Sequence, residues 1–334
     1  MTGGMQSSDH DETAAAYRRF TDREARGRSP LYEALARGVA DDADVLACLA
    51  GLPRPKRQPN LLLAATRHVA GVPRDWPEFK GTALARWDEI RAVILRRSTQ
   101  TNEPGRCATL LPVLARLRQP VALIEVGASA GLCLLPDRYG YDYGTRRRLR
   151  PARGADDAPV FPCEADAATP LPKALPRVAW RRGLDLNPLD IGDADQMAWL
   201  ETLVWPEQTA RLARLRAAVR AAQADPPPVV RGDLRHGLAA LAAEAPRDAT
   251  LVVFHTAVLA YVPDPAERET FAASVMSLCG CWIANEAPQV FSGIAARVPG
   301  KVRPGRFLLS VNGSPTAWTD PHGAALDWIA PPSA

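Results

Sequence analysis

The sequence predicts an α/β protein in which an N-terminal helical domain precedes a mostly parallel sheet that ends in an antiparallel hairpin. Three observations carry this. Apolar residues recur at helical spacing up to about residue 118, with no alternating strand pattern. After residue 120, short apolar runs rich in branched side chains appear, the pattern of strands buried on both faces. Helical segments separate several of these runs, and strands alternating with helices build parallel sheets through right-handed crossovers.

The first eleven residues are polar and are expected to be disordered. Residues 12–118 form the helical domain. Ala14–Phe20 starts a helix behind Asp11 and Thr13 as caps. Leu31, Leu35 and Val39 follow at four-residue spacing, with Pro30 at a first helical position. Leu61–Val69 and Leu84–Leu95 continue the pattern, separated by the proline-rich loops Gly51–Pro59 and Gly71–Pro77.

Residues 119–334 form the sheet domain. Its strands are expected at Val121–Val126, Leu184–Leu186, Val229–Arg231, Leu251–His255 and Trp282–Glu286. Helices are expected at Asp195–Trp205, Gln208–Gln223 and Ala266–Leu278. Phe307–Val311 and Leu326–Ile329 bracket a Gly- and Pro-rich region and read as the final antiparallel hairpin. The stretch Asp137–Trp180 is long and rich in Gly, Pro and Arg, so it reads as an insertion.

Bulk properties narrow the function classes. The chain has 334 residues, 47% hydrophobic and 23% charged, with a net charge of +4, the balance of a globular protein with a sizeable core. So small a basic excess does not indicate nucleic-acid binding. The dense cluster Arg146, Arg147, Arg148, Arg150 and Arg153 reads first as a solvated loop, with an anion-binding role as the alternative. None of the six cysteines falls in a paired zinc-ligand spacing, and no metal is expected. No signal-peptide pattern opens the chain and no apolar stretch is long enough to span a bilayer. The expectation is a reduced, cytoplasmic protein without a membrane or nucleic-acid partner. Nothing in the sequence sets an oligomeric state.

Glu125-Val-Gly-Ala-Ser-Ala-Gly131 follows the first strand. Glycines in such a turn let the backbone bend sharply and approach a ligand closely. The same residues spell Gly-x-Ser-x-Gly, a serine-hydrolase elbow. That reading makes Ser129 a nucleophile served by His255 or His322 and an acid such as Asp233. Two features oppose it: only helices precede the turn, and no His-Gly-Gly oxyanion sequence is present.

Later strand ends carry further candidates. Asp185 and Asn187 close the second strand, with capping of the next helix as their ordinary role. Asp233, followed by Leu234, closes the third, with a turn aspartate as the alternative. His255 ends the fourth strand and is the first candidate base, because its unperturbed pKa lies near neutrality; a buried histidine bonded to backbone is the competing reading. Tyr261 and Glu286 are secondary candidates. Asn102, Glu103 and Arg106, before the first strand, are candidates to line a substrate, although Asn102 also suits a helix cap. Arg138 and Tyr139, beside the clustered arginines, are candidates for a substrate-side lid.

From Val121 to Glu286 these motifs, each on a strand end and in this order, resemble the class I S-adenosylmethionine-dependent methyltransferases, with their Rossmann-like sheet. Over nearly the whole chain the sequence resembles an uncharacterised bacterial domain-of-unknown-function family, number 2332. That resemblance rests on Gln100-Thr-Asn-Glu-Pro-Gly-Arg106, Glu125–Leu132, Asp137-Arg-Tyr-Gly-Tyr141, Gly183-Leu-Asp-Leu-Asn-Pro-Leu-Asp190, Leu203-Val-Trp-Pro206 and the His255 strand. The methyltransferase resemblance implies S-adenosylmethionine held by Glu125, Gly127, Ser129, Gly131, Asp185, Asn187, Asp233 and Leu234. Ser129 stands where that pattern has its middle glycine. The implied activity is methyl transfer to a small molecule, with a serine hydrolase or a non-catalytic cofactor-binding or regulatory protein as alternatives. Two departures stand out. Pro136 shortens the helix after the turn, and no Asn-Pro-Pro-Tyr signature follows the fourth strand.

Overall fold

Prolines and short polar side chains set where the helices begin. In the computed structural model, which describes residues 3–152 and 156–329 with side chains from residue 10, α1 spans Gly3–Phe20 and continues as a π-helix over Thr21–Ala25. Helix α1 thus begins well inside the stretch expected to be disordered; Met1 and Thr2 lie outside the described residues. Ser29 accepts the Tyr32 N–H and caps α2 (Pro30–Ala40), whose first residue is the proline. Asp42 caps α3 (Ala43–Ala50). Helix α4 (Pro59–Ala70) ends at Gly71, which takes a φ of 86°. Asp75 caps α5 (Trp76–Ala85), and α6 spans Trp87–Arg96.

These helices bury Tyr17, Leu35, Leu49, Leu62, Phe79 and Ile90 in one core, joined by Trp199 and flanked by Trp205. The unit comprises residues 1–101 together with 198–212. Its later segment is tied in by hydrogen bonds from Trp199 Nε1 to the Ser98 carbonyl (2.9 Å) and from Trp205 Nε1 to Asn60 (3.1 Å). The expected boundary at residue 118 therefore falls at 101, and a segment more than ninety residues downstream belongs to the helical unit.

The second unit comprises residues 102–197 and 213–334. It begins with α7 (Cys107–Leu114) and β1 (Val121–Val126), a strand buried along its whole length. The insertion supplies β2 (Gly140–Asp142), β3 (Arg148–Leu149), β4 (Val160–Pro162) and β5 (Glu164–Ala165). Then come β6 (Val178–Asp185), α8 (Ala194–Thr202), α9 (Thr209–Ala224), β7 (Val229–Arg231) and α10 (Leu234–Ala243). The chain continues through β8 (Thr250–Thr256), α11 (Pro265–Leu278), β9 (Cys281–Glu286) and α12 (Ser292–Ala295). It closes with β10 (Phe307–Val311), β11 (Ser314–Thr319) and β12 (Ala325–Trp328). The chain passes between the units within α8 and again within α9.

Among the described residues, a nine-stranded sheet runs in the order β5-β12-β11-β10-β9-β8-β1-β6-β7. Strands β7, β6, β1, β8 and β9 are all parallel. Strands β10, β11 and β12 continue it as an antiparallel meander. The fold is thus α/β with a large, mostly parallel central sheet and N-terminal helices. The expected hairpin of Phe307–Val311 with Leu326–Ile329 is corrected: β11 lies between them. Asn312 and Gly313, at φ of 48° and 73°, form the tight turn that makes it. Pro315 weakens the strand signal there, and the ladder absorbs it with a register shift opposite Ser310.

Strand β6 starts six residues before the expected Leu184, because Arg181 and Arg182 interrupt its apolar pattern. Arg181 is held by both carboxylate oxygens of Asp137 and by the Leu134 carbonyl. The insertion is built into the unit rather than lying over it as a lid. Tyr139, Tyr141 and Phe161 are buried there, and β5 pairs with β12. Arg146 of the basic cluster donates to the carbonyls of Asp166, Ala167 and Thr169. Arg153 lies outside the described residues.

Candidate functional site

Strand β1 stands between β6 and β8. From it the chain winds outward to β6 and β7, then returns to the other side for β8 and β9. All five strands point their carboxyl ends to one edge. Where the winding reverses, between β1 and β8, such sheets leave a crevice in which ligands bind.

The glycine turn is the loop after β1. Gly127, Ser129 and Gly131 take φ of 71°, 54° and 74°, a region glycine enters freely and serine seldom does. One amide of this turn meets a carboxylate of the chain itself, and its neighbours meet backbone carbonyls. Ser129 N–H donates to Asp185 Oδ2 (2.8 Å) and Asn187 N–H to Oδ1 (2.7 Å). The Gly127 N–H donates to the Leu184 carbonyl (2.8 Å). Asp185 thereby fastens the turn to the end of β6. Gly131 leads into a single 3-10 turn over Leu132–Leu134, as Pro136 requires.

The loop after β8 crosses the turn. A Cβ on Gly127 would lie 2.3 Å from Val258 Cγ2, so this glycine is required by close approach as well as by its φ. Ala257 beside it also takes a left-handed φ, 59°.

Beneath that loop lies a buried polar chain. Trp282 Nε1–H donates to His255 Nε2 (3.0 Å). Because indole nitrogen only donates, this fixes the neutral tautomer with the proton on Nδ1. That Nδ1–H donates to Glu286 Oε1 (2.7 Å), which also accepts the Val258 and Leu259 N–H groups (2.9 and 3.1 Å). Phe271 and Phe291 enclose the imidazole. His255, the candidate base, is fully buried with both ring nitrogens bonded to side chains, closer to the competing reading of a buried histidine, although its partners are not backbone. Tyr261 is 76% exposed on the same loop.

A second polar cluster lies behind β1. Asn102 Oδ1 accepts the Leu132 N–H (2.9 Å) and holds the segment after the glycine turn. Glu103 caps the 3-10 turn Pro104–Arg106 through Gly105 N–H. Arg106 donates to the carbonyls of Thr256 (2.9 Å) and Pro321 (2.8 Å). All three side chains are buried, so they brace the strand ends from within instead of lining an open substrate surface. Tyr139 is equally internal: its hydroxyl donates to the Leu132 carbonyl and its ring meets Phe161 edge-on. Arg138 is exposed and pairs with Asp225 (2.7 Å).

Glu125 is buried at the end of β1 with Oε2 lacking a hydrogen-bond partner. Burial pushes its carboxyl well above the usual range; the nearby Cys133 and Asp185 add to this, while the Arg106 guanidinium opposes it. A raised carboxyl pKa favours the folded state fully below the unfolded value near 4.5, and that contribution is lost as pH rises toward the folded pKa. Glu125→Gln has no charge to bury. Its stability relative to the native protein should therefore climb above pH 4.5, by on the order of 1 kcal/mol per pH unit until Glu125 ionises. Urea titrations from pH 4 to 8 measure this, and a pH-independent difference would refute it.

Asp233 caps α10 and chelates Arg235, which continues to Glu267. The Arg235 hydrogen bonds bring its carboxyl down to about 2. Leu234 packs partly buried against the neighbouring core. Ser129 Oγ is buried without a hydrogen-bond partner, so no histidine activates it and the hydrolase triad is not assembled. Among the described residues, no group of three His, Cys, Asp or Glu is placed to hold a metal ion. No helix there is long and apolar enough to cross a membrane.

The structure thus gathers Glu125, Gly127, Ser129, Gly131, Asp185 and Asn187 around one turn and joins Glu286 to it through Val258. Sequence reasoning missed Val258 and Trp282. The signal for Trp282 was its place on the strand beside that of His255; nothing local marked Val258.

These features define an α/β protein with a glycine turn at the reversal point of a mostly parallel sheet. The chain belongs to the bacterial family described as "uncharacterized protein conserved in bacteria (DUF2332)", matched over residues 14–328. No curated protein matches it significantly. Among solved structures it is similar to a possible exported protein from Bordetella parapertussis, at 14% identity and a TM-score of 0.30, over 85% of this chain and 73% of that one. A likeness of that degree specifies neither fold nor activity.

Proposed function

We propose that the second unit is a methyltransferase of the Rossmann-like class I kind, binding S-adenosylmethionine at the β1/β8 reversal and acting on a small molecule. The observation that carries this reading is the carboxylate of Asp185 set beside the left-handed turn Gly127–Gly131 at the carboxyl edge of the sheet. A carboxylate there suits paired hydroxyl donors such as those of a ribose.

Two further features support the fit. Glu125 Oε2 and Ser129 Oγ are buried polar atoms without partners beside the turn, and such atoms call for a ligand or water. Leu186, next to Asp185, is 59% exposed and offers an apolar wall. Val258 covers Gly127, so ligand entry requires the 257–261 loop to lift.

When bound, the cofactor supplies an electrophilic methyl group. The chain's own contribution is positional. The turn and Asp185 hold the ligand, Arg106 and Asn102 stiffen the strand ends beneath it, and Glu286 with neutral His255 fixes the loop that closes over it. Closure excludes water and holds reactants in line.

Calorimetric titration with S-adenosylhomocysteine tests the reading. The native protein should bind it. Asp185→Asn should bind about ten- to a hundred-fold more weakly, as expected when hydrogen bonds to a charged acceptor are lost. Folded native protein that gives no binding heat would sink the proposal.

A further inference from the structure

We infer that the helical unit carries a binding site for a small phosphate monoester, held by Arg19 and Arg23. The site lies within residues 1–101 and does not rest on the methyltransferase reading above.

A cleft of about 320 Å³ opens between the end of the first helix and the start of α4. Arg19, Arg23 and Glu24 line it on one side, Gln58, Pro59 and Asn60 on the other. Its volume is that of a small-molecule site.

The arginines around this helix end divide into two groups. Arg18 pairs with Asp41 (2.9 Å) and Arg26 with Asp22 (2.6 Å). Arg19 and Arg23, the two that line the cleft, have no hydrogen-bond or ion-pair partner among the described residues. They lie one turn apart, and like charges so spaced destabilise a helix unless an anion neutralises them. Glu24 does not serve, because its carboxylate is engaged by the Asn60 side chain and by the charge of Arg28. Gln58 is also taken up: it donates to the Pro55 carbonyl (2.9 Å) and accepts from the Thr99 hydroxyl (3.0 Å). The cleft therefore holds two positive charges that no carboxylate of the described residues meets.

The turn that carries Arg23 is π-helical over Thr21–Ala25, closed by the Arg26 N–H on the Thr21 carbonyl (2.9 Å). Such turns are rare and gather at functional sites.

Two guanidinium forks match the oxygens of a phosphate. A phosphate monoester brings nearly two negative charges and three acceptor oxygens to one point. Its organic arm is then left for the apolar surface of Ala16, Phe20 and Pro59. A single carboxylate supplies one charge against two. A dicarboxylate spends both ends on the arginines and has no arm for the apolar wall.

The test titrates the whole chain with phenyl phosphate, followed by calorimetry and by backbone amide resonances. Phenol, inorganic phosphate and succinate are the controls. Phenyl phosphate should bind at least about ten-fold more tightly than phenol, the usual margin for hydrogen bonds between charged partners. It should also bind more tightly than inorganic phosphate or succinate, and it should shift the amides of residues 19–24. Arg19→Gln with Arg23→Gln places good helix formers at two exposed positions, so the fold should survive and the response should vanish. Arg18→Gln with Arg26→Gln removes the same charge beside the cleft and should retain most of the response. Equal binding of phenyl phosphate and phenol would overturn the inference. So would succinate or inorganic phosphate binding as tightly as phenyl phosphate, unmoved amides over residues 19–24, or equal effects of the two double variants.

Discussion

Glu286→Ala should destabilise the protein by about 3–5 kcal/mol, the usual cost of removing one partner from a buried charged network. The variant leaves three donors behind. The Val258 and Leu259 amides and His255 Nδ1–H all end on Glu286 Oε1, and each buried donor without an acceptor costs about 1–3 kcal/mol. Part of this is recovered if water enters the space vacated by the side chain. Glu286→Gln keeps one acceptor oxygen and should cost distinctly less than Glu286→Ala. Denaturant unfolding of the two variants measures the difference. Equal, small losses in both would show that Oε1 does not organise the loop after β8.

Gly127→Ala should cost about 2–5 kcal/mol, through two separate causes. The φ of 71° is unfavourable for any side chain, worth about 1–2 kcal/mol. The added methyl would also meet Val258 at 2.3 Å, and overpacking of that kind typically costs about 1–3 kcal/mol. Only the second cause depends on Val258. Gly127→Ala combined with Val258→Ala should therefore recover about 1 kcal/mol relative to the sum of the single changes, a coupling within the normal range for residues in contact. Strict additivity would mean that the two loops do not touch in solution.

The centre of the sheet was readable from the sequence because its strands are buried on both faces. Val121–Val126 matches β1 in full, and Leu251–His255 and Trp282–Glu286 fall within one residue of β8 and β9 at each end. A short, uninterrupted run of branched and aromatic side chains bounded by turn residues suits a buried strand and little else. Strand β11 was missed because Pro315 argues against a strand, although Asn312-Gly313 is a strong hairpin signal that outweighs it. The short strands of the insertion have too few residues to show a period.

The candidate site was readable in its residues and not in their roles. His255 and Glu286 were singled out separately, as titratable groups at strand ends. Their coupling depends on the lateral register of β8 and β9, where His255 pairs with Ala284, and register is a tertiary property. Asn102, Glu103 and Arg106 look solvent-facing because such residues usually are. Their burial follows from backbone acceptors that only the folded loops supply. Asp185 was found by its place after the strand, and its latch onto the Ser129 amide depends on the turn's unusual φ angles.

Segment 198–212 belongs to the helical unit although it is encoded within the sheet unit. During synthesis, residues 1–101 leave the ribosome long before Trp199, Leu203 and Trp205, which complete their core. The last pieces of this core thus emerge only after β1 and β6 have been made. Expressed by itself, a fragment ending at residue 118 would carry an apolar gap where the two tryptophans belong.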